Sequence, residues 1–402
     1  MTAGASPPAG PRVMISCGEA SGDAYAGALA RELRALNPST QVFGLGGPRL
    51  RAAGADLVGD YEGMSVTGLV EAASVLRRAW HMRKALCDAA RERRPDVFVA
   101  IDYPDFNFRL LPSLHEMGVP IVYYVSPQLW AWRAGRLRTI KRYVDRMLVI
   151  FPFEAAIYEQ AGVPVEFVGH PLVDMARAGR SRAQLLGEVG LDGSKPVLAL
   201  LPGSRPNEVR PLLPGLVAAV PLMTARVPGL QVLVARAPSL DDSLFAPLAD
   251  LRAAGIATAV ASGAADDVLA AADVVVTASG TATVQAALHG RPMVIVYRLS
   301  PVTYAIGRRF VRVTTYGMVN LVAGRRIVPE LIQADFTPER VADETVQLFT
   351  NHERAEAMRR DLAEVRAKLG VPGASSRAAA AVVEVMSRRT GTQQRVPARA
   401  TP

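Results

Sequence analysis

Short apolar runs alternate with longer amphipathic patterns along most of the chain, and this alternation constrains the fold more than any other feature. In the first half, the predicted strands are 12–16, 41–45, 97–101, 121–125, 147–151 and 165–168. In the second half, they are 197–201, 231–235, 257–261, 273–277 and 292–297. Strands that are apolar throughout and separated by helices are typical of parallel sheets covered on both faces. Two such sets predict an α/β protein with two doubly wound, Rossmann-like domains facing a cleft.

A chain of 402 residues is longer than one hydrophobic core usually supports, which agrees with two domains. The segment 175–196 is rich in glycine and charged residues and is the best linker candidate. The remaining predicted boundaries are 1–11 and 388–402 for disordered ends, 12–178 and 190–345 for the two domains, and 346–387 for C-terminal helices that could return to the first domain.

The formal net charge of +9 raises three anionic partners: a nucleic acid, a membrane surface or a phosphorylated ligand. Four arginines follow Glu384 with no acid among them, and the remaining excess charge is dispersed along the chain. Because a nucleic-acid interface concentrates its positive charge on one face, this dispersion argues against nucleic acid.

The sequence favours a reducing, cytoplasmic environment. Cys17 and Cys87 stand far apart, and no CxxC or Cys/His cluster suggests a disulfide scaffold or a zinc site. The N-terminal residues do not have the pattern of a signal peptide, and no apolar run reaches the roughly 18–20 residues that span a bilayer.

Two segments of the second half could hold an anion. In LLPGSRPNEVR (200–210), Ser204 and Arg205 follow a predicted strand, and Ser204 could cap the next helix with Glu208 in its first turn. An arginine fork pairs with two oxygens of a diphosphate, although an ordinary surface arginine is the alternative. In TASGTATVQAALHG (277–290), small residues open a helix whose first turn has no acid, so it is either a phosphate seat or a plain N-cap.

The corresponding glycine-rich turn of the first half, CGEASGDAYAG (17–27), contains Glu19 and Asp23. Two carboxylates would repel a phosphate, so this turn is a poorer anion seat than 277–290. Further on, Asp102 and Asp105 in VAIDYPDFNFRL (99–110) follow a predicted buried strand. A general base, a metal ligand and a turn-capping residue all remain open for Asp102.

Two other segments combine aromatic or apolar residues with basic ones. Segment 125–142 contains Trp130 and Trp132 beside Arg133, which suits base stacking, a membrane interface or simple packing. Segment 63–86 has an apolar stripe rimmed by cations, which fits either docking on an anionic bilayer or a helix that faces the core.

The remaining patterns exclude several classes. The five histidines show no metal-ligand spacing, and His170 in VGHPLVD either faces the cleft or is an ordinary loop histidine. There is no Walker lysine, and no Gly-x-Gly-x-x-Gly follows a predicted strand, so ATPase and dinucleotide-binding functions are weakly supported.

Taken together, the segments resemble one family, the lipid-A-disaccharide synthases, which are inverting glycosyltransferases with the two-domain GT-B fold. The matching segments run in order from residue 13 to about 335: GEASGD (18–23), GLGGPRLRAAG (44–54), IDYPDFN (101–107), YYVSPQLWAWR (123–133), FPFE (151–154), VGHPLVD (168–174), LPGSRPNEV (201–209), ASGTAT (278–283) and NLVAGR (320–325).

The resemblance implies transfer of 2,3-diacylglucosamine from UDP-2,3-diacylglucosamine to the 6-hydroxyl of 2,3-diacylglucosamine 1-phosphate. The products would be a β-1,6-linked disaccharide 1-phosphate and UDP, made without a cofactor or metal by a monomer or homodimer. The enzyme would be cytoplasmic and peripherally bound to the inner face of the inner membrane of a Gram-negative bacterium.

The resemblance also implies roles for particular residues. Asp102 would be the catalytic base. UDP would be bound by Ser204, Arg205, Ser279, Gly280, Thr281, Gln285 and Asn320. The acceptor side of the cleft would be formed by Glu19, Ser21, Asp23, Asp105, Asn107, Ser126, Trp130, Trp132 and His170. The membrane would be met by Met64, Val66, Leu69, Val70, Leu76 and Trp80.

Two positions depart from the family pattern. Gln285 stands where the family has a glutamate expected to bind ribose hydroxyls, and Val319 replaces a usual proline before Asn320. The rival interpretations are an enzyme of the same fold similar to UDP-N-acetylglucosamine 2-epimerase, a nucleic-acid-binding protein, and a non-catalytic module that binds a lipid or nucleotide.

Overall fold

The computed structural model describes residues 10–61, 72–127, 135–298, 315 and 317–393. The chain divides into two compact units. Unit 1 comprises Met1–Pro171 and Val371–Pro402, and unit 2 comprises Leu172–Gly370. Each unit is built around its own parallel sheet, which confirms the predicted α/β class with two sheets.

Unit 1 contains, among its described residues, a sheet of seven parallel strands in the order β3-β2-β1-β4-β5-β6-β7. The strands are β1 (Arg12–Cys17), β2 (Gln41–Gly46), β3 (Asp56–Asp60), β4 (Val97–Ile101), β5 (Ile121–Tyr124), β6 (Arg146–Val149) and β7 (Val165–Phe167). Its helices are α1 (Ala20–Leu36), α2 (Pro48–Ala52), α3 (Ala72–Arg93), α4 (Pro104–Glu116), α5 (Gly135–Tyr143) and α6 (Pro152–Gln160). The central strand β4 is buried along its whole length, as its uninterrupted apolar sequence predicts.

Unit 2 has a six-stranded parallel sheet in the order β10-β9-β8-β11-β12-β13, counted over the part of the chain that is described. The strands are β8 (Val197–Leu201), β9 (Gln231–Arg236), β10 (Thr258–Ser262), β11 (Val274–Ala278), β12 (Met293–Tyr297) and β13 (Glu330–Ile332). The first helices of this unit are α7 (Leu172–Met175), α8 (Arg182–Glu188), α9 (Pro206–Thr224), α10 (Leu248–Ala253) and α11 (Ala265–Ala271). They are followed by α12 (Thr281–Leu288), α13 (Met318–Ala323), α14 (Pro338–Thr350) and α15 (His352–Lys368).

The eleven strands predicted from apolar runs are all present, with their bounds shifted by at most two residues. Two short strands were not predicted. β3 lies at an edge of its sheet and has polar residues at both ends, and β13 has only three residues, so neither gives an apolar run of strand length.

The predicted linker 175–196 is folded rather than open chain, because two arginines bind it to the rest of unit 2. The Arg180 guanidinium donates to Asp267, and Arg182 pairs with Asp273 at 3.0 Å. Within the segment, Arg180 also donates to Glu188. Its composition was misleading, since these charges are partners within the unit. The boundary between the two units lies between Pro171 and Leu172, seven residues before the predicted end of the first domain at 178.

The C-terminal helices are shared between the units. Helices α14 and α15 belong to unit 2, whereas the last helix, α16 (Ala374–Gln393), belongs to unit 1. It is attached there by Arg377, whose Nε donates to the Val168 carbonyl at 2.9 Å, and by Glu384, which pairs with Arg146 at 2.7 Å. The helix continues past residue 388, where disorder was predicted to begin; residues 394–402 and 1–9 lie outside the described residues.

Candidate active site

The two sheets share a topological feature that marks ligand sites in open α/β proteins. Strand order reverses between β1 and β4 in unit 1 and between β8 and β11 in unit 2. At such a switch point the loops after the two adjacent strands diverge and leave a crevice at their carboxyl ends. Four of the segments selected from sequence are these loops: 17–23 and 101–107 in unit 1, and 201–208 and 278–283 in unit 2.

In unit 2, the loop after β11 forms an open helix start. Gly280 is the N-cap of α12 and has φ 152° and ψ −158°, a conformation essentially restricted to glycine. A Cβ atom placed on Gly280 would meet nothing within 4 Å, so there is room beside the backbone. The first turn contains no acid, and the first N–H groups of a helix point outward with a positive dipole end. Ser279 and Thr281 flank this start, and the Ser279 N–H donates to the Val296 carbonyl at 3.1 Å.

The loop after β8 brings a guanidinium to the same switch point. Arg205 is the N-cap of α9, and its side chain contacts Glu208 at 3.5 Å. Glu208 lies in the first turn, as predicted, but the expected cap by Ser204 is wrong. Instead the Glu208 carboxylate accepts the Ser204 backbone N–H at 2.9 Å, and the exposed Ser204 hydroxyl makes no cap.

Asn320 was predicted to contact the nucleotide, but all the hydrogen bonds that its side-chain amide can form are made to protein groups. Its Oδ1 accepts the N–H groups of Ile327 and Val328 at 2.7 and 3.0 Å. Its Nδ2 donates to the Val328 carbonyl and to Glu330 Oε1 at 3.0 and 2.7 Å. An amide has two donors and two acceptor positions, so this buried side chain shapes the loop rather than offering a hydrogen bond to a ligand. Val319 beside it is buried.

Gln285 lies one turn into α12, and its side chain points to an acid on α11. Gln285 Nε2 is 3.3 Å from each carboxylate oxygen of Asp266, and His289 Nε2 is 3.0 Å from Asp266 Oδ1. Asp266 was not selected from sequence, because its partners are 19 and 23 positions away and it resembles an ordinary first-turn acid.

In unit 1, the loop after β4 contains Asp102 in an uncommon backbone conformation. Asp102 and Tyr103 have φ of 47° and 46°, the left-handed region that costs a side chain with a Cβ of the order of 1 kcal/mol. The Tyr103 ring covers Gly18, where a Cβ would lie only 2.1 Å from the ring. Glycine at 18 therefore lets the loops after β1 and β4 pack against each other.

Two buried side chains hold this conformation. Asn107 Nδ2 and the Tyr123 hydroxyl both donate to the Asp102 backbone carbonyl, at 2.8 and 2.9 Å. The Ser16 hydroxyl donates to Asn107 Oδ1 at 2.6 Å, which connects β1 to the same loop. Asn107, predicted on the acceptor side, thus holds the backbone of Asp102, a residue that is half-buried.

The structure shows how the negative charge of Asp23, which makes this turn a poor phosphate site, is accommodated in the fold. It is buried, and its carboxylate accepts the N–H groups of Gly47, Arg49 and Leu50 at 2.8 to 3.0 Å, at the start of α2. The negative charge is therefore compensated by backbone donors and a helix N-terminus. Glu19, the N-cap of α1, and Ser21 are both partly exposed.

A buried polar cluster lies behind the end of β6. Ser126 is 2.7 Å from the Tyr158 hydroxyl, and Glu154 accepts the Phe151 N–H at 3.2 Å. Burial raises the pKa of Glu154 to about 8. His170, predicted to face the cleft, is buried against Tyr25 and Phe151, and burial lowers its pKa to about 3.

The other selected residues are scattered. Asp105 is exposed and ion-paired with Arg136. Trp130, Trp132, Met64, Val66, Leu69 and Val70, and the Leu76 side chain, lie outside the described part of the chain. Trp80 is 57% exposed on α3, so the alternative that this side chain faces the core is wrong. Over the described ranges there is no group of three or more His, Cys, Asp or Glu residues placed to hold a metal, and no helix is long and apolar enough to cross a membrane.

The fold defines the class. The structure is similar to UDP-GlcNAc 2-epimerase from Neisseria meningitidis bound to UDP-GlcNAc, with a TM-score of 0.66 and 13% identity over 93% of this chain and 100% of that one. It is also similar to the calicheamicin glycosyltransferase, with a TM-score of 0.57 and 16% identity over 94% and 98% of the two chains. The two parallel sheets are thus those of GT-B glycosyltransferases and related epimerases.

Sequence comparison then identifies the family. The family model for lipid-A-disaccharide synthetase matches residues 13–385. A lipid-A-disaccharide synthase of Myxococcus xanthus is 45% identical over 376 residues, covering 94% of this chain and 98% of the relative. One of Geobacter metallireducens is 45% identical over 381 residues with the same coverage. The chain belongs to the lipid-A-disaccharide synthetase family, which confirms the predicted glycosyltransferase function in lipid A biosynthesis.

Proposed function

We propose that the chain transfers 2,3-diacylglucosamine from UDP-2,3-diacylglucosamine to the 6-hydroxyl of 2,3-diacylglucosamine 1-phosphate. The products are the β-1,6-linked disaccharide 1-phosphate and UDP. One observation carries the proposal: the two switch points carry complementary chemistry. Unit 2 offers Arg205 and an open helix start, and unit 1 offers a carboxylate on a braced loop.

Asp102 is the proposed general base. Its carboxylate takes the proton of the acceptor 6-hydroxyl while that oxygen forms a bond to the anomeric carbon and the bond from that carbon to UDP breaks. A single displacement inverts the anomeric configuration, so one base is enough and no covalent sugar–enzyme intermediate forms. The brace by Asn107 and Tyr123 supports this role, because it fixes the backbone that carries the carboxylate.

Unit 2 is the proposed nucleotide side. The breaking bond leaves negative charge on the diphosphate of UDP, and the Arg205 guanidinium and the N–H groups at the start of α12 stabilise that charge. The proposal assigns this work to protein groups rather than to a metal ion. The room beside Gly280 supports a close approach of phosphate to the backbone.

The acceptor and the acyl chains are assigned to unit 1. Glu19 and Ser21, partly exposed beside the Asp102 loop, are proposed to meet acceptor hydroxyls. Trp80 with the exposed Arg77 and Lys84, three and four residues away on the same face of α3, supports docking on an anionic lipid surface. We therefore assign the enzyme to the cytoplasmic face of the inner membrane as a peripheral protein.

The direct test supplies the purified protein with UDP-2,3-diacylglucosamine, with and without 2,3-diacylglucosamine 1-phosphate, and measures UDP and lipid products. UDP release that depends on the acceptor and equals disaccharide formation is the expected result. UDP release without disaccharide, or epimerisation of UDP-N-acetylglucosamine in place of transfer, would contradict the proposal and favour an epimerase of the same fold.

A further inference from the structure

The cluster of Asp266, Gln285 and His289 in unit 2 has the composition of a hydroxyl-binding site. The Asp266 side chain is 26% exposed, and its two neighbours are donors on α12 that face it from one side. A carboxylate accepts about four hydrogen bonds, and these neighbours supply two donor nitrogens. The carboxylate therefore has capacity for further donors from the solvent side.

The neighbouring acid makes the contrast clear. Asp267 accepts the N–H groups of Gly179 and Arg180 and pairs with the Arg180 guanidinium at 2.8 Å, and its side chain is only 13% exposed. Asp267 is thus committed to the segment before α8. Asp266 makes its described contacts to the amide nitrogen of Gln285 and the imidazole of His289, whereas Asp267 is held by a guanidinium and two backbone N–H groups.

The position of the cluster relates it to the nucleotide. Gln285 is four residues after Thr281, so it lies on the same face of α12 about one turn, or about 5.4 Å, from the helix start. The 2′ and 3′ hydroxyls of a ribose are separated from the 5′ phosphate by a few bonds, which is a similar length. In dinucleotide-binding proteins, an Asp or Glu side chain likewise accepts a hydrogen bond from a ribose hydroxyl.

We propose that Asp266 accepts hydrogen bonds from the 2′ and 3′ hydroxyls of the UDP ribose, and that Gln285 and His289 are positioning residues that orient it. In this chain the carboxylate that binds the ribose is then on α11, and Gln285 of α12 donates a hydrogen bond to that carboxylate. The inference rests on the proposed use of a UDP-linked donor. It adds a specificity determinant for ribonucleotides to the proposed reaction.

The test is calorimetric titration of the full chain with UDP and with 2′,3′-dideoxy-UDP. The wild type should bind UDP about ten- to a hundredfold more tightly, the loss expected when hydrogen bonds to a charged acceptor are removed. Asp266→Asn should bring UDP affinity down to the dideoxy level and leave dideoxy-UDP binding nearly unchanged. The control is Asp250→Asn, an exposed acid of the same unit, which should behave as wild type.

A double variant separates the ligand role from a folding effect. Asp266→Asn with Gln285→Glu exchanges the carboxylate and the amide, and it should recover a preference for UDP over the dideoxy compound. Equal binding of the two nucleotides by the wild type, or an unchanged preference in Asp266→Asn, overturns the inference while leaving the proposed function in place. Failure of the wild type to bind UDP at all would instead overturn the proposed nucleotide site, and this inference with it.

Discussion

The switch points of the two units have the same topology and opposite chemistry. In unit 1, the side chains of Asp23 and Asn107 form hydrogen bonds that hold the loops, and the Tyr103 ring fills the space beside Gly18. In unit 2, the glycine at 280 leaves its space open and the helix start is without an acid. Strand order thus determines where the loops lie, and a few side chains determine whether they suit a base or an anion.

The electrostatic surroundings follow the same division. Burial and the negative charges of Asp23, Asp60 and Asp102 raise the pKa of the Cys17 thiol well above its usual value. A further negative charge would therefore be disfavoured beside Cys17.

The largest effect is expected from Asp102→Asn. Asparagine tolerates the left-handed conformation, so the loop should keep its shape while the base is lost. Turnover should fall by about 10²–10⁴-fold, the usual contribution of a general base, and the Kd for UDP should change less than threefold. Disaccharide formation and UDP calorimetry measure the two quantities. Glu116→Gln, at an exposed position of α4, the helix that follows this loop, is the control and should retain most activity.

Arg205→Lys should impair the other half. Lysine retains the charge but loses the fork that pairs with two oxygens, so UDP binding should weaken by about ten- to a hundredfold. Arg210→Lys, at an exposed position of the same helix, is the control. Equal UDP affinity for Arg205→Lys and wild type would remove Arg205 from the nucleotide side.

Gly280→Ala should weaken UDP binding by a smaller factor, about tenfold, because a methyl group occupies the space beside the helix start. The strained backbone should also cost about 1–3 kcal/mol of unfolding free energy. Gly255→Ala separates the two effects, since Gly255 also has positive φ and open space but lies at the end of α10. Denaturant unfolding should show a loss in both variants, and only Gly280→Ala should lose affinity for UDP.

The smallest effect concerns the buried acid of unit 1. With its pKa raised to about 8, folded Glu154 holds a proton that the unfolded chain releases near pH 4.5. The folded state therefore binds more protons in this window, and the contribution of Glu154 to stability falls as pH rises from about 4.5 to 8, by at most about 1.4 kcal/mol per pH unit. Glu154→Gln should flatten that dependence in urea unfolding.

The measurement is best made between pH 6.5 and 8.5. His170, whose pKa is lowered to about 3, contributes the opposite slope between about pH 3 and 6.5, where the unfolded chain binds the extra proton. Glu159→Gln, at an exposed position of the same helix as Glu154, serves as the control. A wild-type curve that already matches Glu154→Gln would show that Glu154 is ionised in the folded protein.

Much of the architecture could be predicted because buried parallel strands are apolar along their length, a pattern that stays within each segment. The structural roles of Asp23, Asn107 and Asn320 could not be predicted from the sequence. Asp23 binds backbone groups 24 to 27 residues away, and Asn107 joins a strand 91 residues earlier. A buried amide that fills its hydrogen bonds cannot be distinguished in sequence from one that faces a ligand.

The linker prediction failed for a related reason. Glycine and charge between two apolar regions indicate exposed chain, but Arg180 and Arg182 are bound by acids about ninety residues later. Conversely, the place of Asp102 in the fold could be predicted from sequence, because a carboxylate directly after a buried strand must lie at the carboxyl edge of the sheet.

Hydrogen exchange of the full chain with and without saturating UDP tests the division between the two switch points most directly. We predict slower exchange at the amides of 204–208 and 280–285 in unit 2, and little change at 18–23 and 102–107 in unit 1. Protection of the unit 1 loops with no change at 280–285 would place the nucleotide on the wrong side and contradict the account.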